Sequence, residues 1–239
     1  MASQSGLHPG VRETFDVRHL QLSQFAWLGA GVTGSFLVPF LFSSLLDLQH
    51  DLYYLIYFAL AGGFLGAYVR WNDVDLPQFL RANIWPSILV GAPIALFLIF
   101  NVLSRDSTPH PDGAYFAFEI GWRGLLYGIV DGLLLTAFPA LVAFRLVGGA
   151  LKGMRDRLRF AGLVLIFTIV ITGTYHLGYD QFREDGIAQP ELGNVIISIP
   201  AMATGNPVGS IVAHSAMHVT AVAYSYETDV FLPPQTDSN

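Results

Sequence analysis

The chain has no cysteine in 239 residues. That excludes disulfides, thiolate metal sites and a cysteine nucleophile, and it leaves the redox compartment open. Charge is scarce. Asp, Glu, Lys and Arg together make up 13% of the sequence, and no basic, aromatic-rich surface of the kind that grips nucleic acid can be assembled from them. Nucleic acid is therefore not an expected partner. Glycine motifs of the Walker or Rossmann type are missing, as are internal repeats and any soluble domain longer than the N-terminal tail. The first 26 residues are polar and mixed in charge, and no small-residue cleavage site of the A-x-A type follows the first apolar run. No removable signal peptide is expected, and the first span should stay in the protein.

Apolar sequence is abundant. Residues of the AVILMFWYC set make up 53% of the chain and fall in long runs rather than alternating, which points to membrane helices. Residues 27–46, 52–70, 84–103, 119–147 and 159–179 each approach or exceed the roughly 20 apolar residues that cross a hydrocarbon core of about 30 Å. A further apolar region, 193–226, is broken at Thr204-Gly205-Asn206-Pro207, where a glycine and a proline interrupt a helix. It reads as two elements: 193–205, short enough to be a buried or re-entrant helix, and 207–226, long enough to span. The expected fold is all-α, a polytopic membrane helical bundle of about six to seven transmembrane elements. Residues 1–26 form a polar tail, 27–226 a single membrane domain and 227–239 a polar C-terminal tail.

Nine basic residues (Arg12, Arg18, Arg70, Arg81, Arg145, Lys152, Arg155, Arg157 and Arg159) fall on one side of this topology, against Arg105 and Arg183 on the other. Positive charge accumulates in cytoplasmic loops, so the N-terminus is expected in the cytoplasm of a multi-pass protein of the cell membrane, surrounded by lipid. Seven crossings would put the C-terminal tail outside. Tyr53, Tyr54 and Tyr57, with Trp27, Trp71, Trp85 and Trp122, lie near span ends and read as interfacial anchors. The glycines of Ala61-Gly62-Gly63-Phe64-Leu65-Gly66 read as sites of close helix packing.

Six ionisable residues lie within the apolar stretches: Glu119, Arg123, Asp131, His176, His214 and His218. Charge at membrane depth is costly and is kept mainly in protein-lined sites. Glu119, Arg123, Tyr127 and Asp131 recur at steps of four, which places them along one helix face with Glu119 and Arg123 close enough to pair. The plain reading of that pair is a salt bridge that joins helices. Asp131 lies about 18 Å along the helix from Glu119, too far to share one small site, and reads as a separate structural contact. His176 has Thr172 and Asp180 one turn away on either side. His214 and His218, four apart on one face of the last helix, have the spacing to bind a metal, relay a proton or donate to an oxyanion, or simply to join helices by hydrogen bonds. In depth, Glu119 opens the fourth span from outside, His176 closes the fifth outside, and the histidine pair lies midway to outward. One outward-opening cavity is expected to hold all four.

Three segments in order, Glu119-Ile-Gly-Trp-Arg123-Gly124, then Tyr175-His176-Leu177, then Gly205-Asn206-Pro207 leading to His214-Ser-Ala-Met-His218, resemble the CPBP intramembrane proteases, which include the CAAX prenyl endopeptidases and bacteriocin-processing proteins. The resemblance covers about residues 115–225. It implies peptide-bond hydrolysis in or at the membrane, with Glu119, His176, His214 and His218 as catalytic residues. Glu119 and His176 would polarise a water, the histidine pair would stabilise the oxyanion, and Arg123 would hold Glu119. Phe118 stands where the family has the first of two adjacent glutamates, and His218 stands in place of its usual asparagine. Two other readings stay open. One is a non-catalytic relative that binds a peptide, lipid or partner helix, which Phe118 favours. The other is a metalloprotein in which His176, His214, His218 and Glu119 hold a divalent ion such as zinc.

Overall fold

The structure, a computed structural model, describes residues 10–228 and 230–233, with side chains from residue 21 onward. Among the described residues every regular element is helical, and the one β-type contact is an isolated bridge between Thr108 and Ser225. Helix α1 (Gly10–Pro39) runs on through a π-turn (Phe40–Leu45), so the polar tail ahead of the first span is already helical from Gly10. It is followed by α2 (His50–Trp71), the short α3 (Leu76–Arg81) and α4 (Ile84–Leu103). The fourth span, Gly113–Leu146, is one long helix made of α5 (Gly113–Glu119), α6 (Tyr127–Gly132) and α7 (Phe138–Leu146) joined by π-turns at Ile120–Leu126 and Leu133–Ala137. Next come α8 (Met154–Leu177), α9 (Asp180–Asp185), α10 (Ala188–Ile197), α11 (Ile199–Thr204) and α12 (Val208–Tyr224). Five helices are long and apolar enough to cross a membrane, and they match the five expected spans closely.

The broken region folds as its turn residues dictate. Gly205 closes α11 in the left-handed conformation at φ +75°, where a side chain would be strained. Asn206, fully buried, then acts as a clasp. Its Nδ2 donates to the carbonyls of Leu80 (2.7 Å) and Ala82 (2.6 Å), and its Oδ1 accepts from the Val208 N–H at 2.8 Å. These bonds fix the start of α12 beside the loop that leads into α4. The opposite end of α12 sits at the other end of α4, where the Thr108 N–H donates to the Tyr224 carbonyl. Hence α10 and α11 do not turn back as a re-entrant element would: together they carry the chain from the end of α8 to the beginning of α4, and α12 returns.

Glycine decides which helices touch. A Cβ on Gly91 of α4 would lie 2.5 Å from the Gly209 carbonyl of α12. A Cβ on Gly124, Gly128 or Gly132 of the fourth span would lie 3.0, 2.5 and 3.0 Å from the Cα atoms of Val219, Ser215 and Ile211. This is the small-residue stripe that lets membrane helices approach backbone to backbone. The expected packing glycines of α2 do not act so: Gly62, Gly63 and Gly66 face open space. The tyrosines of α2 are a second correction. Tyr53, Tyr54 and Tyr57 are buried in the largest cluster of the core rather than anchored at an interface, because each phenol finds aromatic or hydroxyl neighbours on the fourth span, on α8 or in the turn that follows α8. Trp71 and Trp85 are largely exposed at helix ends, as the anchor reading requires.

Candidate metal centre

The glycine stripe fixes the register of the fourth span against α12. Because Gly124, Gly128 and Gly132 oppose Val219, Ser215 and Ile211, each helix advances four residues per contact. Asp131 therefore lies level with residue 212, next to His214, while Glu119 lies level with Tyr224. Six residues separate Tyr224 from His218, about 9 Å along the helix. Gly128 also makes room for the His218 ring: a Cβ there would be 3.3 Å from its Cδ2.

At the centre of this contact His214 Nε2 lies 3.7 Å and His218 Nε2 3.8 Å from Asp131 Oδ2. All three residues are buried. The donor atoms lie within 4.8 Å of one another, the one such group of three His, Asp or Glu among the described residues. Two imidazoles and one carboxylate suit a divalent transition ion, and three protein ligands leave a position open for water or substrate. Bonds of about 2.0–2.2 Å at tetrahedral angles put donors roughly 3.4 Å apart, so the observed spacing needs only a modest inward movement of the rings. The rings are already aligned, stacked at 4.8 Å with 17° between their planes.

The surroundings hold these groups in place. Tyr57 donates its hydroxyl proton to Asp131 Oδ1, which leaves Oδ2 directed at the histidines. A hydrogen bond in this position would orient the carboxylate if it bound a metal. Tyr127 lies edge-on to the His218 ring at 4.6 Å, and its hydroxyl bonds to that of Tyr175 at 2.8 Å. Tyr175 accepts from Tyr179 at 2.8 Å, and Tyr179 pairs with Tyr53 at 2.5 Å. A wall of linked phenols thus stands behind the carboxylate. Buried hydroxyls need partners, and these find them in each other.

Asp131, His214 and His218 line a cavity of about 240 Å³. His176 lines it too. Its Nδ1–H donates to the Thr172 carbonyl at 2.8 Å, which fixes the tautomer and leaves Nε2 as the basic atom. The rest of the lining is largely apolar, with Phe97, Phe182, Phe231 and Leu232, and it also takes in Asn101 and Arg105.

Of the expected shared site, then, the structure brings together His176, His214 and His218, and it does not bring Glu119. Glu119 is absent from the cavity lining; it pairs with Arg123 Nη1 at 3.4 Å and accepts from the Tyr226 hydroxyl at 3.0 Å. The correction comes from register, because a shared outer half of the bundle does not ensure a shared level. Asp131 takes the carboxylate position that the sequence reading gave to Glu119. Phe118 is half exposed and stacks on Trp122 with ring centroids 5.7 Å apart, away from the cavity. A carboxylate there would not reach the histidines by this geometry. One signal in the sequence marks Asp131: it precedes the last glycine of Gly124-x-x-x-Gly128-x-x-x-Gly132, the stripe that brings another helix against that face.

No protein-family model, curated protein or solved structure gives a significant match to this chain.

Proposed function

We propose that the protein is a metal-dependent hydrolase embedded in the cell membrane, with Asp131, His214 and His218 holding a divalent transition ion such as zinc. The observation that carries this reading is the convergence of two imidazoles and a carboxylate, oriented by Tyr57, on the wall of a cavity. A bound ion of this kind supplies a water of lowered pKa and polarises a carbonyl. His176 lines the same cavity as both histidines, and its Nε2, left basic by the Nδ1–H bond to the Thr172 carbonyl, is the atom to take a proton from the attacking water. The resemblance to the CPBP proteases supports an amide bond of a peptide as the substrate, with three of its four implied catalytic residues on one cavity and Asp131 in place of the fourth. A second reading, a carrier that passes the ion itself, is favoured by the position of Asp131 midway along the fourth span, the depth at which transporters hold their cargo.

The test is elemental analysis of detergent-purified protein, wild type beside Asp131→Ala and a His214→Ala/His218→Ala double variant, with peptide cleavage assayed on the same samples. The expected result is about one equivalent of metal in the wild type, lost from both variants together with cleavage. Metal without cleavage would support the carrier, and equal metal in all three proteins would end both readings.

A further inference from the structure

The pair that opens the fourth span has no part in the metal centre, yet Arg123 and Glu119 are both fully enclosed. A buried ion pair is a costly feature unless it does something. Both members engage Tyr226, and Arg123 also faces the Tyr54 ring of α2 at 6.0 Å. Tyr226 donates its hydroxyl proton to Glu119 Oε2 at 3.0 Å, and the Arg123 guanidinium lies 4.3 Å from the centre of the Tyr226 ring. Tyr226 belongs to the segment that follows α12, and this segment does not run off into solvent. Ser225 Oγ donates to the Asp106 carbonyl at 2.7 Å, the Glu227 N–H donates to Thr108 Oγ1 at 2.9 Å, and Phe231 and Leu232 turn back to bury themselves beside Val102 and Val222. Val230, Phe231, Leu232 and Pro233 form part of the cavity wall with His218, and Met217 packs against the cluster that holds Phe231 and Leu232.

We infer that residues 225–228 and 230–233 belong to a strap that walls one side of the cavity, and that Glu119 and Arg123 are its latch. Tyr226 is the one side chain of the strap that the buried pair holds, and it sits between the fixed end of α12 and the residues that wall the cavity. Releasing it frees the strap without disturbing the glycine contacts that build the metal centre. Val230, Phe231, Leu232 and Pro233 stand in the cavity wall, so lifting the strap widens the space beside Asp131 and the latch sets the size of substrate admitted. The inference rests on the cavity and its wall, and stands or falls separately from the metal.

The absence of native cysteine makes access measurable with a single introduced thiol. Met217→Cys places it beneath the strap and Ser104→Cys places it on the exposed loop. Each is labelled with a small water-soluble methanethiosulfonate in the full-length protein, with Tyr226 intact, as Tyr226→Phe or as Tyr226→Ala. Loss of a hydrogen bond to a charged group raises the population of the open strap about tenfold or more, so Tyr226→Ala is expected to speed labelling under the strap by that factor. Tyr226→Phe keeps the ring on Arg123 and gives a smaller increase, while Ser104→Cys labels at one rate throughout and reports that the fold is intact. Equal labelling rates for Met217→Cys in all three backgrounds would overturn the latch. So would a Met217→Cys thiol that reacts as fast as the Ser104→Cys thiol with Tyr226 in place.

Discussion

The first and fourth spans have similar hydropathy and very different surroundings. In the fourth, 78% of the most apolar stretch is buried inside the protein; in the first the share is 17%, and in the second 28%. In lipid the hydrophobic effect does not draw one apolar helix to another, so what puts a helix at the centre is close packing and polar contact. The fourth span has Gly124, Gly128 and Gly132 on one face with Arg123, Tyr127 and Asp131 beside them, whereas Gly62, Gly63 and Gly66 of α2 meet nothing. Glycine spacing alone does not separate the two cases. What separates them is the partner: α12 brings the backbone of Val219, Ser215 and Ile211 against the stripe, with two buried histidines beside Asp131.

The contrast can be broken most severely at the central stripe. Gly128→Leu forces a side chain into the Ser215 backbone and is expected to cost about 3 kcal/mol or more, with loss of the folded bundle and of bound metal. Thermal unfolding in detergent checks this, and a wild-type melting temperature would refute the register given above. Next in size, Asp131→Asn keeps the shape of the side chain and removes the charge, so metal content should fall to background while the protein remains folded. Retention of a full equivalent would move the site elsewhere. Tyr57→Phe tests the outer shell: losing the hydroxyl that aims the carboxylate should weaken metal affinity roughly 10- to 100-fold without removing the site, as read by competition with a chelator of known strength. Glu119→Gln should leave metal content unchanged, and a large fall would restore Glu119 to the centre. The smallest effect belongs to Gly62→Ala, which meets open space and gains helix propensity, within about 1 kcal/mol of wild type. A larger destabilisation would mean that α2 packs more closely than described.

Much of the architecture was legible because membrane spans are set by length and composition, which are local properties. The break at 204–207 was legible for a similar reason, since glycine and proline act on their own backbone. The histidine pair was legible too, because four residues on a helix always return to the same face. Asp131 was not. Reading it as isolated followed from its distance to Glu119 along one helix, whereas the histidines beside it come from another helix entirely. Tyr53, Tyr54 and Tyr57 were misplaced for the converse reason. Tyrosine near a span end has the composition of an interfacial anchor, and only the approach of Tyr127, Tyr175 and Tyr179 turns it into core.

The sequence by itself determined an all-helical membrane protein, the positions of five spans, the interruption before α12 and the presence of two histidines on one helix face. Each of these depends on residues within a turn or two of one another, or on the length of one apolar run. Only the tertiary structure decided that Asp131 joins His214 and His218, that Glu119 and Arg123 contact Tyr226 instead, and that Val230, Phe231, Leu232 and Pro233 stand in the cavity wall. Those facts depend on the register between helices far apart in the chain. That register is set by which glycines find a close partner, and a glycine's partner is a property of the fold.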